Sequence, residues 1–199
     1  MNKPRFDATW EDAETARQQC ENARAELAHW QDFEVYNVAA NIFRNLARIG
    51  KKTIIDYGCG AGQYRPIALS CGLKQYTGID QYYAVAEAAK WQNTADFTTE
   101  LKYRTCDVLL LACSIEYDDN PPAVLDGFLN GTPIDAEWII LHRVRCHEGP
   151  GCFVDEQSWA RVRKLYRWNR EEIADIIGER PWQAYKWDGG RQWTYLIHQ

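Results

Sequence analysis

The chain has 199 residues, of which 46% are hydrophobic and 26% charged, enough for one well-buried domain and too few for two typical ones. A formal net charge of −5 argues against broad electrostatic capture of nucleic acid, while leaving room for a local basic face. No apolar run approaches the roughly 20 residues of a membrane span, Met1 to Asp7 lacks a signal-peptide core, and the seven cysteines are odd in number, so a cytoplasmic, reduced protein without disulfides is expected.

From about Thr9 to Arg48 the pattern is helical. Leu27, Trp30, Phe33, Val35, Val38, Ile42, Phe43 and Leu46 recur at steps of three and four, whereas the part up to Ala25 reads as a solvated or loose helix. Gly50-Lys51-Lys52 breaks this pattern, and Thr53 to Tyr57 is a short strand that ends in an acid and three alternating glycines: Asp56-Tyr57-Gly58-Cys59-Gly60-Ala61-Gly62. Such a turn presents bare amides to a ligand. The dinucleotide spacing G-x-G-x-x-G fails here, because the sixth position is Gln63 counted from Gly58 and Arg65 counted from Gly60. An acid two residues before the first glycine would repel a pyrophosphate and suit an ammonium group.

This stretch resembles motif I of the class I S-adenosylmethionine-dependent methyltransferases, acid-x-Gly-x-Gly-x-Gly, residue by residue. A second mark is Tyr76-Thr77-Gly78-Ile79-Asp80, a strand ending in an acid 24 residues after Asp56. The family places there the carboxylate that holds the ribose hydroxyls. The resemblance implies a Rossmann-like, doubly wound α/β fold with a mostly parallel sheet, a C-terminal antiparallel hairpin and an N-terminal helical cap. It implies a cap over residues 1–50, a core over 51–199, and S-adenosylmethionine as cofactor. The candidate cofactor contacts are Asp56, Gly58, Gly60, Gly62, Asp80, Gln81 and Cys113. Element order supports it from Thr53 to the C-terminus, but only residues 56–62 and 80 carry specific motifs.

Between these marks, Gln63 to Cys71 reads as a helix that Pro66 tolerates only in its first turn, and Gly72 ends it. Gln75 to Ile79 is the second strand and Tyr82 to Trp91 the next helix. Only 26 residues separate Asp80 from Asp107, so a third strand is compressed into Ala95 to Thr98 or Leu101 to Arg104, or is missing. The adenine-facing acid-apolar pair that the resemblance implies is therefore either Asp96-Phe97 or Asp107-Val108. Val108 to Cys113 is an apolar run of the kind buried on both faces of a parallel sheet. Ser114 to Tyr117 resembles the family segment after strand four, which faces the substrate.

Pro121 to Leu129 reads as a helix closed by Asn130-Gly131, and Trp138 to Arg143 as the fifth strand. Arg145 to Phe153 is expected to be a loop, Asp155 to Tyr166 a helix, and Asn169 the cap of another helix ending near Gly178. Gln183 to Trp187 and Gln192 to Ile197, separated by Asp188-Gly189-Gly190-Arg191, form a terminal hairpin.

Methyl transfer asks the protein for alignment and, with a poor nucleophile, a base. Glu116, Tyr117 and His142 are the catalytic candidates, with His142 weighed against a satisfied core histidine; Tyr36 and Arg143 are the substrate-binding candidates. Arg143 and Arg145 suit a carboxylate or phosphate. Arg161, Arg163, Lys164, Arg167 and Arg170, interleaved with Tyr166 and Trp168, read first as a solvated helical face and second as a nucleic-acid surface. Asn120-Pro121-Pro122-Ala123 lacks the aromatic of the amino-methylating motif, and Cys146-His147 with Cys152 lacks a second pair for zinc. The expected function is methyl transfer to oxygen or nitrogen of a small molecule. The alternatives are a nucleic-acid methyltransferase and a non-catalytic partner-binding subunit.

Overall fold

The computed structural model describes residues 12–158 and 161–199. The core is a sheet in the order β3-β2-β1-β4-β5, all parallel, extended by β9 antiparallel to β5 and β8 antiparallel to β9. The strands are β1 (Thr53–Tyr57), β2 (Gln75–Ile79), β3 (Phe97–Thr98), β4 (Arg104–Ala112), β5 (Ile134–His147), β8 (Trp182–Trp187) and β9 (Gln192–His198). The expected α/β architecture, with its terminal hairpin, is what the chain adopts.

Period-two alternation divides β4 between two cores. Val108 and Leu110 face α2 (Glu34–Arg48) and α3 (Tyr64–Ser70), while Leu109 and Leu111 face α5 (Pro121–Leu129) and α6 (Arg170–Ile177). All four are fully buried, and burying each such side chain contributes about 1.5–3 kcal/mol. The buried face of α2 carries Tyr36, Ala39, Ala40, Ile42, Phe43 and Leu46, sharing Ile42, Phe43 and Leu46 with the stripe read from the sequence, while Val35 and Val38 are only partly buried.

The N-terminal segment is a helix, α1 (Ala13–Leu27), capped by the Asp12 carboxylate, which accepts from the Thr15 amide at 2.7 Å. The expected start at Thr9 lies outside the described residues. Its buried stripe is small, Ala16, Cys20 and Ala23, so it docks close to α4 (Tyr82–Gln92) without large side chains.

Two expectations fail together after β5. The strand runs on to His147, so the loop shrinks to residues 148–151, and the described residues 155–158 and 161–166 are not helical. They belong to a hairpin of β6 (Cys152–Ser158) and β7 (Arg161–Asn169), whose Trp168 and Asn169 pair with Cys146 and His147 of β5 beyond the end of β4. Tyr166 and Trp168 are buried two residues apart with Arg167 exposed between them, a strand alternation that was read as a helical face. Arg161, Arg163, Lys164 and Arg167 of the basic cluster thus lie on a strand, and Arg170 opens α6. Arg170 lies with its guanidinium 4.0 Å from the Trp193 ring, and the side chains of Arg161 and Arg163 are outside what the structure describes.

Candidate active site

The site lies where parallel strands end, so the turn after β1 comes first. Gly58 and Gly62 both adopt positive φ, 72° and 69°. A Cβ on Gly58 would overlap the Cβ of Ser114, and one on Gly62 would overlap the Phe97 ring. Glycine is therefore required twice over, by backbone conformation and by close approach. The amides of Gly58 and Cys59 donate to the Ile79 carbonyl at 2.8 and 3.2 Å, tying the turn to the end of β2.

Two buried carboxyls flank this turn. Asp80 accepts from the Gly60 amide and from the Gln81 amide, both at 2.7 Å. Asp56 accepts from the Tyr76 hydroxyl at 2.5 Å, while its Oδ1 has no partner. Burial pushes Asp56 up to about 7 against the lowering effect of the Tyr76 bond, and the charge of Asp80 adds to the rise. Burial likewise pushes Asp80 up to about 6, opposed by its two amide bonds. A cationic ligand at this turn would relieve both.

The outer side of the turn is already covered. Ala61 packs with Cys20 and Ala23 of α1 and with Trp91, whose indole N–H donates to the Ala61 carbonyl at 3.0 Å. Gln92 Nε2 donates to the carbonyls of Ala61 and Gly62 at 3.1 and 2.8 Å. These bonds involve the carbonyls of 61 and 62 and hold the loop from outside.

Just after β4 and within β5, level with the end of β4, two non-glycine residues are left-handed, Cys113 (φ 52°) and Arg143 (φ 63°), each costing of order 1–3 kcal/mol. The Cys113 amide donates to the His142 carbonyl at 3.0 Å. Pairing of β5 with β9 slips by one residue between Leu141 and Val144, a bulge that re-aims His142 and Arg143. His142 turns inward. Its Nδ1 lies 2.7 Å from Thr194 Oγ1, its ring stacks on Trp187 at 5.5 Å, and Tyr64 meets it edge-on. Burial, reinforced by the Arg143 charge, drives His142 down to about 3. Of the two readings of His142 left open by the sequence, its full burial fits the core histidine, because the bulge places it between β9 and α3.

Glu116 and Tyr117 lie on a 3-10 turn (Ile115–Tyr117) directly after β4. Glu116 is buried with neither carboxyl oxygen paired, and burial pushes it up to about 7 despite the nearby Trp168, Arg143 and Arg145. The Tyr117 hydroxyl lies 3.9 Å from Cys113 Sγ. Tyr36, on α2, is buried and donates to Glu26 at 2.7 Å, with its ring edge against Tyr64. Arg143 is partly buried among Tyr64, Cys113, Tyr36 and Tyr117; burial lowers its guanidinium, but those neighbours outweigh it and hold it above its ordinary value. Near the surface, Cys152 Sγ lies 3.8 Å from His147 Nε2, and among the described residues no three metal-ligating side chains converge.

No protein-family model matches the sequence, and no curated protein matches it either. Solved structures do match in shape. One is Burkholderia thailandensis 1,6-didemethyltoxoflavin-N1-methyltransferase with its acceptor and S-adenosylhomocysteine bound, at 17% identity over 99% of this chain and 91% of that one, TM-score 0.56. A second is an amino pentose methyltransferase from Micromonospora echinaspora with S-adenosylmethionine bound, at 12% identity over the whole of both chains, TM-score 0.52. A third is an S-adenosylmethionine-dependent methyltransferase from Clostridium acetobutylicum, at 10% identity over 91% and 98%, TM-score 0.58.

The chain has the class I methyltransferase fold.

The resemblance places the adenine-facing pair after the third strand, and neither sequence candidate stands at that position in the structure. Asp107 accepts from the Lys52 and Thr53 amides at 2.7 and 2.8 Å, at the start of β1 and the far edge of the sheet from the glycine turn. Asp107-Val108 is therefore excluded by position. Asp96 precedes β3 and binds Arg65 at 2.7 Å, while Phe97 covers Gly62 and Gly78. The acid-apolar pair that follows β3 is Glu100-Leu101, missed because a two-residue strand leaves no apolar run to mark its end. The Thr98 carbonyl accepts from the Asp80 amide at 3.3 Å, so this segment leaves the sheet beside Asp80.

Proposed function

We propose that the protein is an S-adenosylmethionine-dependent methyltransferase acting on oxygen or nitrogen of a small molecule. The observation that carries this reading is the pair of buried carboxyls, Asp56 with an unpartnered oxygen and Asp80, on either side of a glycine turn that admits no Cβ at 58 or 62. The small-molecule choice is supported by neighbours in fold that are named for 1,6-didemethyltoxoflavin and for an amino pentose.

When bound, S-adenosylmethionine supplies an electrophilic methyl group. The residues that hold it are the turn at Gly58, Gly60 and Gly62, whose amides already donate to the Ile79 carbonyl, the Asp80 carboxyl and the Cys59 carbonyl so that the turn acts through its shape, the Asp56 carboxylate facing the methionine ammonium, and Asp80 with Gln81 on the ribose side. Glu100-Leu101 meets the adenine, and Cys113 with Ser114 borders the methionine arm; the buried Ser114 hydroxyl has no partner of its own. Among the described residues, those of the expected cap, 1–50, serve to cover this site, and those of 51–199 serve as the core. Glu116, raised towards neutrality at the end of β4, is the group that accepts a proton from the acceptor, with Tyr117 beside it. His142 has a structural role instead.

The test is methyl-group transfer from isotopically labelled S-adenosylmethionine to a panel of small amines, phenols and heterocycles, with tRNA and duplex DNA as further acceptors. Label in a small molecule supports the reading. Label only in nucleic acid, or cofactor binding with no turnover on any acceptor, would replace it by one of the two alternatives.

A further inference from the structure

The fold delivers a guanidinium that the protein itself does not neutralise. Arg143 sits on the β5 bulge in a left-handed conformation, at the edge where β4 ends. Among the described residues no carboxylate lies within ion-pair distance of it. The acid that feels its charge, Glu116, makes no ion pair with it and is pushed towards its neutral form. The groups around Arg143 are instead Tyr36, Tyr64, Tyr117 and the Cys113 thiol.

A second observation points the same way. Tyr64 is 2% exposed, its hydroxyl has no hydrogen-bond partner, and it lies close enough to Arg143 for the two to influence each other. A buried hydroxyl without a partner is costly, and a donor beside an unpaired guanidinium forms half of an oxyanion clamp. Burial holds the Tyr64 hydroxyl well above its ordinary value, so it remains a neutral donor at any working pH, whereas the Tyr36 hydroxyl already donates to Glu26 and offers only its ring. Their ring edges meet at 5.7 Å, which gives the surroundings of the cation an aromatic character suited to a flat body.

We propose that the acceptor is a small, flat carboxylic acid whose carboxylate is bound by Arg143 and Tyr64, with its body against Tyr36 and Tyr117. This rests on the methyl-transfer reading of the site and adds the acceptor's chemical class. A carboxylate presents two coplanar oxygens to the two parallel donors of a guanidinium. The arginine thus anchors the end of the acceptor remote from the reacting atom.

The probes are benzoate, its uncharged isostere benzamide and inorganic phosphate, titrated calorimetrically into the full-length protein with and without S-adenosylhomocysteine. The proposal expects saturable benzoate binding, at least tenfold tighter than benzamide and tighter than phosphate. Arg143→Gln should abolish it, Arg143→Lys should restore part of it, and Tyr64→Phe should weaken it several-fold. S-adenosylhomocysteine affinity should stay within twofold of wild type in all three variants. No benzoate binding, equal binding of benzoate and benzamide, or unchanged affinity in Arg143→Gln would overturn it. Preference for phosphate would overturn the carboxylate assignment. A loss of S-adenosylhomocysteine affinity in folded Arg143→Gln would return the guanidinium to the cofactor's own carboxylate. If circular dichroism shows that variant unfolded, Tyr64→Phe and the benzoate-to-benzamide ratio decide. Failure of wild-type protein to bind S-adenosylhomocysteine would remove the methyltransferase reading alone, because the probes are also titrated without it.

Discussion

His142 and Thr194 are joined across the β5–β9 pairing by a 2.7 Å contact between Nδ1 and Oγ1, and the same hydroxyl accepts from the Trp187 indole at 3.0 Å. Because the indole N–H can only donate, Thr194 Oγ1 must accept from it, and its second lone pair or its own proton completes the contact with His142 Nδ1 in either imidazole tautomer. Thr194→Val leaves both ring systems with an unpaired buried polar atom and should cost about 1–3 kcal/mol, read as a fall in Tm. The pH dependence of turnover should keep its shape.

The same histidine predicts an acid limb of stability. Its folded value, about 3, lies below the ordinary 6.5, so the folded state binds fewer protons than the unfolded one between those limits. Its contribution is complete above about pH 6.5 and is lost as pH falls towards 3. Denaturant midpoints of wild type and His142→Phe, compared from pH 4 to 7.5, should converge as acid is added.

Asp56 and Asp80 carry the opposite sign. Their folded values, about 7 and about 6, exceed the ordinary 3.8, so the free protein favours the protonated carboxyls and their stabilising contribution fades as pH rises through 6 to 7. A cationic ligand needs them ionised. Affinity for S-adenosylmethionine should therefore rise between pH 5.5 and 7.5, with release of about one proton near pH 6.5. Calorimetry in two buffers of different ionisation enthalpy reads that proton, and Asp56→Asn should reduce it.

Much of this architecture was legible because it is carried by patterns that local chemistry enforces. Glycine at 58 and 62, the apolar alternation of Val108 to Leu111 and the Gly189-Gly190 hairpin each admit few structures. The β6–β7 arm was not legible, because charged residues crowd the strand and only Tyr166 and Trp168 reveal the period of two. The inward turn of His142 depends on a one-residue slip against β9, a long-range pairing with no local signature. Glu100 was hidden by a third strand only two residues long.

That correction separates two acids experimentally. Glu100→Gln should weaken S-adenosylhomocysteine binding about three- to tenfold while leaving Tm unchanged, since the side chain is exposed and bonded only to Lys102 at 2.9 Å. Asp107→Asn should do the reverse, loosening the start of β1 and lowering Tm with cofactor affinity intact.

Phe97 and Gly62 provide a coupled test of the turn. Gly62→Ala places a Cβ inside the Phe97 ring and should abolish cofactor binding. Adding Phe97→Leu should restore part of it, the remainder being the cost of a positive φ, about 1 kcal/mol or more.

Binding of S-adenosylmethionine by the glycine turn between Asp56 and Asp80 underlies every role proposed above. Calorimetric titration of the wild-type protein and of Asp80→Ala with S-adenosylmethionine and S-adenosylhomocysteine tests it most directly. Saturable one-to-one binding by wild type, weakened at least tenfold in a variant that remains folded, is the predicted result. No heat and no thermal shift with either ligand, or equal affinity in Asp80→Ala, would contradict it.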